Sequence, residues 1–146
     1  LADILTPNET EFSFLLAHLH QYAVIALDFD DDLAIHRAAR VLSHGTVVVT
    51  LGAAGVFVSH GTDLMGDSTP YYRSAAHVVT AIDTTGAGDA FSGGLAAASL
   101  RFADAPFSSW VTHAMKVAAL SVEANGASDS MPSFTDVITR FGDISC

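Results

Sequence analysis

The stretch TVVVTL, Thr46 to Leu51, constrains the fold more than any other segment of this chain. Its centre is continuously apolar rather than alternating, the pattern of a strand covered on both faces. GAAG breaks the run, and VFVSH (Val56 to His60) reads as the return strand of a hairpin. On either side, short β-type runs alternate with helical ones. LADILTP (Leu1 to Pro7) reads as the tail of a buried strand stopped by proline. From Asn8 to about His20, the apolar residues Phe12, Leu15, Leu16 and Leu19 recur at helical spacing. Asn8 and Glu11 there have the spacing of a capping box. YAVIAL (Tyr22 to Leu27) reads equally as a strand or as the tail of that helix. Asp30 to Ser43 forms a second helix with Leu33, Ala34, Ala38, Val41 and Leu42 inward. Residues 61–70 are turn material, and AAHVVTAI (Ala75 to Ile82) is a further strand candidate. Helices follow over Ala87 to Arg101, Ser108 to about Glu123, and Ser133 to Phe141. Strands alternating with helices predict an α/β layered fold with a mainly parallel sheet.

The 146 residues amount to one domain, long enough to bury a core. Half are hydrophobic and only 15% are charged, and the mean hydropathy is +0.39. No run of about 18 apolar residues would explain that as a membrane span. A face covered by something outside this chain explains it better. The chain begins at Leu1 with no signal-peptide pattern, and the expectation is a piece of a longer protein. The net charge of −10, from 16 acids against six scattered bases, argues against nucleic acid or an anionic membrane as partner. The single Cys146 leaves no disulfide framework or cysteine metal site, so an intracellular, cytoplasmic setting is expected.

The chemistry concentrates in DTTGAGD, Asp83 to Asp89. As plain structure, this is a strand-to-helix loop with glycines for the turn and an acid suited to the first helical turn. As a site, the amides of Gly86, Ala87 and Gly88 form an anion cradle at a helix N-terminus. Asp89 then lies about one hydrogen bond from whatever attacks a bound phosphate. Phosphoryl transfer asks little of its base, because positioning and charge stabilisation carry most of the barrier reduction. A Walker loop is excluded, since no G-x-x-x-x-G-K-[ST] occurs and Lys116 is the only lysine. DAFSGG lacks the glycine two before Ser92 that a nucleophile elbow requires. The seven histidines contain no H-E-x-x-H, and His18 and His20 point to different helix faces.

DTTGAGDAFSGG resembles the C-terminal signature of the ribokinase family of sugar kinases, also called the PfkB family. Three other blocks agree in order. DILTPNETE (Asp3 to Glu11) resembles the opening of the family's nucleotide half, VVVTLGAAGVFV (Val47 to Val58) its adenosine-binding strand-loop-strand, and AALSV…NGASDSMP (Ala118 to Pro132) its monovalent-cation loop. The resemblance covers the whole chain. It implies a three-layer ribokinase-like fold, of which residues 1–146 are the C-terminal, nucleotide-binding and catalytic-base half. The N-terminal half, which carries the sugar-binding part and the lid, is absent.

The resemblance further implies ATP-dependent phosphorylation of a sugar, with ATP, Mg²⁺ and a monovalent cation, K⁺, as cofactors. Asp89 is the implied base, and Gly86, Ala87 and Gly88 the anion hole. Asn8 reaches the nucleotide phosphates and Glu11 the hydrated Mg²⁺. Thr50, Leu51, Gly52, Ala53, Ala54 and Gly55 wrap the nucleotide, together with Gly88 and Asp89. Asp83, Thr85, Ser121, Ala124, Gly126 and Ser130 match the cation positions, mostly through carbonyls. Met115 stands where many ribokinases place Asn or His against adenine, and Asp129 adds a charge near the cation loop. PNETE, TTGAGD and GA..SMP lean toward ribose rather than a fructokinase, adenosine kinase or phosphofructokinase substrate. The implied partners are a small sugar, ATP and the missing half, and a homodimer is the assembly to test for in the longer protein. The competing expectation is a catalytically silent module that binds nucleotide and transfers nothing.

Overall fold

The computed structural model describes residues 2–19, 27–127 and 129–142. The chain forms two compact units, Leu1–Ala75 and Ala76–Cys146. The YAVIAL reading and Cys146 lie outside the described residues.

The first unit is a four-stranded sheet with two helices. Its strands are β1 (Ile4–Leu5), β2 (Thr46–Thr50), β3 (Val56–Ser59) and β4 (Tyr71–Ser74), in that spatial order. β1 and β2 are parallel, whereas β2–β3 and β3–β4 are antiparallel. Among the described residues the sheet is therefore mixed, not mainly parallel. The cause is connection length: GAAG can only turn the chain back on itself, while the segment after β1 carries helices and can cross over. The turn is a single 3₁₀ turn over Gly52–Ala54. Gly55 closes it at φ 96° and ψ −128°, a conformation open to glycine alone.

Helix α1 (Glu9–His18) begins at the expected capping box. The Asn8 N–H donates to Glu11 Oε2 and the Glu11 N–H to Asn8 Oδ1, both at 2.9 Å. Phe12 and Leu16 go into the core, while Leu15 and Leu19 stay partly exposed. Helix α2 (Asp32–Leu42) is capped by Asp31, which accepts from the Ala34 N–H. Its inward face is Ile35, Ala38 and Ala39, with Leu42 packed at the edge. Leu33 and Val41, expected inward, are 44% and 38% exposed. Polar anchors set this rotation. Arg40 Nη2 donates to the carbonyls of Gly45 (2.8 Å) and Ser59 (3.0 Å), and His36 Nδ1 lies 2.8 Å from Ser59 Oγ. The core joins Phe12, Leu16, Ile35, Val47, Val49 and Phe57. Val48 and Val58, on the opposite sheet face, are also fully buried, as the unbroken TVVVT run predicts.

The strand expected over Ala75 to Ile82 does not form, and the chain instead pairs Tyr71–Ser74 with β3. The apolar pattern of 75–82 is genuine, but no strand among the described residues accepts its ladder, and Val78 is 98% exposed. Tyr71 packs on Phe57 and His36, with ring centroids 6.0 and 4.6 Å away. Burial, and then the Asp67 carboxylate, push the Tyr72 phenol far above the ordinary tyrosine range. His60 is buried and bridges Thr46 Oγ1 (3.1 Å) and Asp67 Oδ2 (2.9 Å).

The second unit contains α3 (Ala87–Arg101), α4 (Phe107–Ser121) and α5 (Phe134–Phe141). α3 and α4 pack closely where a Cβ on Gly94 would lie 3.0 Å from Ala114 Cα. Ser133 and Asp136 form a second capping box at the start of α5. Arg101 lies 3.5 Å from the Phe134 ring centroid, and His113, Phe102 and Phe134 form a mutual three-ring cluster.

Three histidines give the chain a definite acid response. Burial, and then nearby cations, hold His36, His77 and His113 below the ordinary histidine value: Arg40 for His36, Lys116 for His77, and Lys116 with Arg101 for His113. The unfolded chain therefore takes up these protons first as the pH falls below about 6.5. Their contribution is complete above that pH and is lost as the pH drops toward the lower folded values. The urea midpoint at pH 5.5 is expected below that at pH 7.5, and His113→Phe should shrink the difference.

Candidate functional site

The expected site residues fall into two sets, one in each unit. In the first unit, β1 and β2 run parallel and end side by side. The Thr50 N–H donates to the Pro7 carbonyl at 2.9 Å, and Asn8 and Thr50 form a parallel bridge. PNETE and TLGAAG, far apart in sequence, thus meet at the carboxyl ends of two parallel strands, where open α/β sheets bind ligands. Asn8 and Glu11 are exposed, as are Gly52, Ala53 and Ala54, while Leu51 and Gly55 are buried. A Cβ on Gly52 would meet nothing within 4 Å. The capping box engages Asn8 Oδ1 and Glu11 Oε2. An open, mostly apolar groove lined by Leu5, Pro7, Phe14 and Leu15 runs beside Glu11.

In the second unit the signature forms a tight turn into α3. Gly86 is the N-cap, at φ 82° and ψ 1°. Its backbone lies so near Ala127 that an added Cβ would stand 3.0 Å from the Ala127 Cβ. The Ala87 N–H donates to the Thr84 carbonyl at 3.2 Å, so it is not one of the open amides expected of the cradle. The N–H groups of Gly88 and Asp89 have no backbone acceptor among the described residues. A Cβ on Gly88 would meet nothing within 4 Å, so the space before these amides is open. Asp89, the third residue of α3, is exposed at the same helix end. The amides left without a backbone acceptor here, among the described residues, are therefore those of Gly88 and Asp89, one residue further along than the Gly86 to Gly88 set the sequence implies.

Of the implied cation positions, Asp83, Thr85 and Gly126 are joined by hydrogen bonds, as are Ser121 and Ala124. Asp83 Oδ1 accepts the Thr85 N–H (2.9 Å) and Oδ2 the Gly126 N–H (3.1 Å). The Val122 carbonyl accepts the N–H groups of Ile82 (2.7 Å) and Asp83 (3.2 Å). Hydrogen bonds from Thr85, and then from Gly126, hold the Asp83 carboxyl below the usual carboxylate range. Ser121 and Ser130 are buried, and Ser130 Oγ donates to the Ala127 carbonyl at 3.3 Å. The charged oxygens of this set are those of Asp83, and a carboxylate is the donor type a hard cation takes. Among the described residues no three His, Cys, Asp or Glu side chains cluster to hold a metal.

Met115 is only 6% exposed, so it lies in the helix packing instead of presenting a face to a base. His113 is buried against Phe102 and Phe134.

The first unit thus places two loops at the ends of parallel strands, and the second opens a helix at glycine beside a carboxylate. The chain belongs to the pfkB family of carbohydrate kinases, whose model matches residues 1–133. Among its relatives is the ribokinase of Haemophilus influenzae, 37% identical over 135 residues; the alignment covers 90% of this chain and 38% of that protein. The structure of Arabidopsis thaliana ribokinase complexed with ribose and ATP is similar at 27% identity and TM-score 0.70, over 94% of this chain and 40% of that one. Vibrio cholerae fructokinase, in its fructose, ADP and calcium ion bound form, is similar at 27% identity and TM-score 0.71, over 94% and 40%. The chain thus spans about 40% of the length of these relatives.

Proposed function

We propose that residues 1–146 are the C-terminal, nucleotide-binding and catalytic-base part of an ATP-dependent ribokinase that converts D-ribose and ATP to D-ribose 5-phosphate and ADP. The observation that carries this reading is the start of α3, where open amides at Gly88 and Asp89 share one helix end with the Asp89 carboxylate. The amides receive the transferring phosphoryl group, with help from the positive end of the helix. The sugar's primary hydroxyl oxygen bonds to the γ-phosphorus, and the bond to the ADP oxygen breaks with its electron pair leaving on ADP. The hydroxyl proton passes to an Asp89 carboxylate oxygen. Asn8 and Glu11 serve the triphosphate and its hydrated Mg²⁺, and Thr50 to Gly55 lie along the nucleoside. Asp83, Thr85, Ser121, Ala124, Gly126 and Ser130 are the oxygen donors for K⁺. Bound Mg²⁺ and K⁺ would supply neutralising charge at the phosphates and beside the signature turn.

The H. influenzae relative supports ribose over fructose as the acceptor. A sugar and ATP are the proposed partners, the longer protein is tested for a homodimer, and its proposed location is the cytoplasm. No helix among the described residues is long and apolar enough to cross a membrane. The chain's share of its relatives' length favours a second reading, a module that binds nucleotide without turnover. Calorimetry with Mg·ATP on residues 1–146, followed by ADP release with ribose, fructose and adenosine by the longer protein, separates the two. Ribose-dependent ADP release is expected. ATP binding with no release under any acceptor favours the second reading, and the absence of ATP binding removes both.

A further inference from the structure

The signature turn and the 121–127 loop are joined by more than proximity. The Val122 carbonyl takes two N–H groups from Ile82 and Asp83, and the Asp83 carboxylate takes one from each side: Thr85 within its own turn, and Gly126 across. Next to this clamp the backbones of Gly86 and Ala127 approach too closely for a side chain at Gly86. Gly126 itself sits at φ 89°. Each N–H···carboxylate contact is a charge-assisted hydrogen bond, the stronger kind.

We propose that Asp83 is a positioning residue. Its carboxylate ties the signature turn to the 121–127 loop through the Thr85 and Gly126 amides, and so sets the start of α3 without needing a bound cation. The inference rests on the kinase reading only for its consequence, which is that the cradle at Gly88 and Asp89 is preformed. A cation held there would add charge to a loop pair already in place. Thr85, Gly86 and Gly126 form one backbone assembly, with Asp83 as its only charged member.

Amide hydrogen exchange followed by NMR on the 146-residue chain tests this without ATP or sugar, so failure of the kinase reading leaves the outcome intact. In wild type the Gly126 amide is expected to stay protected when K⁺ is replaced by tetramethylammonium. Asp83→Asn should divide the two contacts. The amide oxygen of Asn still accepts from Thr85, but its NH₂ faces the Gly126 N–H donor to donor. Gly126 should then exchange about tenfold faster or more, with Thr85 changed by less than about threefold and the α3 and α4 interiors unchanged. Asp83→Ala should release both amides. Gly126 unprotected in wild type without K⁺ would overturn the proposal. So would a Gly126 amide unaffected by Asp83→Asn, or equal acceleration throughout α3 and α4.

Discussion

Asp89→Asn is expected to lower ribose-dependent ADP release by about 10²- to 10⁴-fold while leaving ATP affinity within about threefold. Asn preserves the shape and the N–H of the helix position, so the amide cradle at Gly88 and Asp89 is retained. What it removes is the proposed acceptor for the sugar's proton. The side chain is exposed at the helix end and carries no packing role, so the folded state should not suffer. Calorimetry with Mg·ATP and a coupled ADP assay read the two quantities separately. Turnover within threefold of wild type would take the base role away from Asp89. Equal losses of binding and turnover would make it a nucleotide contact instead.

Gly86→Val should cost about 3 kcal/mol of unfolding free energy and abolish ATP binding. Two penalties combine. A β-branched residue at φ 82° is strained by about 1–3 kcal/mol, and the new side chain enters at 3.0 Å from Ala127. Relief requires the turn to move, which carries the Gly88 and Asp89 amides away from one another. Gly88→Ala is the matched control: its Cβ meets nothing within 4 Å, and alanine suits a helix better than glycine. That variant should keep its stability within about 1 kcal/mol and lose nucleotide affinity only through crowding of the cradle. Urea unfolding curves for the pair decide the point. A Gly86→Val midpoint equal to that of Gly88→Ala would show the turn to be adaptable.

Features governed by local chemistry were readable in the sequence. The bounds of α3, Ala87 to Arg101, follow from a glycine turn at one end and the loss of helical pattern at the other. The Asn8–Glu11 box needs only three residues of spacing. Features settled by tertiary partners were not readable. The face that α2 presents is chosen by Arg40 and His36 reaching Ser59 on another element, and periodicity alone favoured Leu33 and Val41. AAHVVTAI has the composition of a strand but lacks a neighbour among the described residues, whereas the more polar YYRS pairs with β3 because the His60 N–H bonds to the Pro70 carbonyl and brings it alongside. In the site, the residue types were legible and the donor count was not. Nothing in GAG shows that the Ala87 amide is consumed by Thr84, or that Met115 is buried.

The clamp at Asp83 also acts as a ruler. Between Val122, which takes the Ile82 and Asp83 amides, and Gly126, which gives its own to the carboxylate, lie only three residues. One inserted residue adds up to about 3.5 Å of chain and would put Gly126 beyond hydrogen-bond reach. The 61–70 segment is held by the Thr46 hydroxyl at Met65 and by His60 at Asp67, but exposed Thr62 and Asp63 precede both contacts and can accept extra residues. An insertion scan of this chain should therefore be sharply uneven. Tags and loop grafts belong near Asp63, and the interval from Val122 to Gly126 should be kept at its native length.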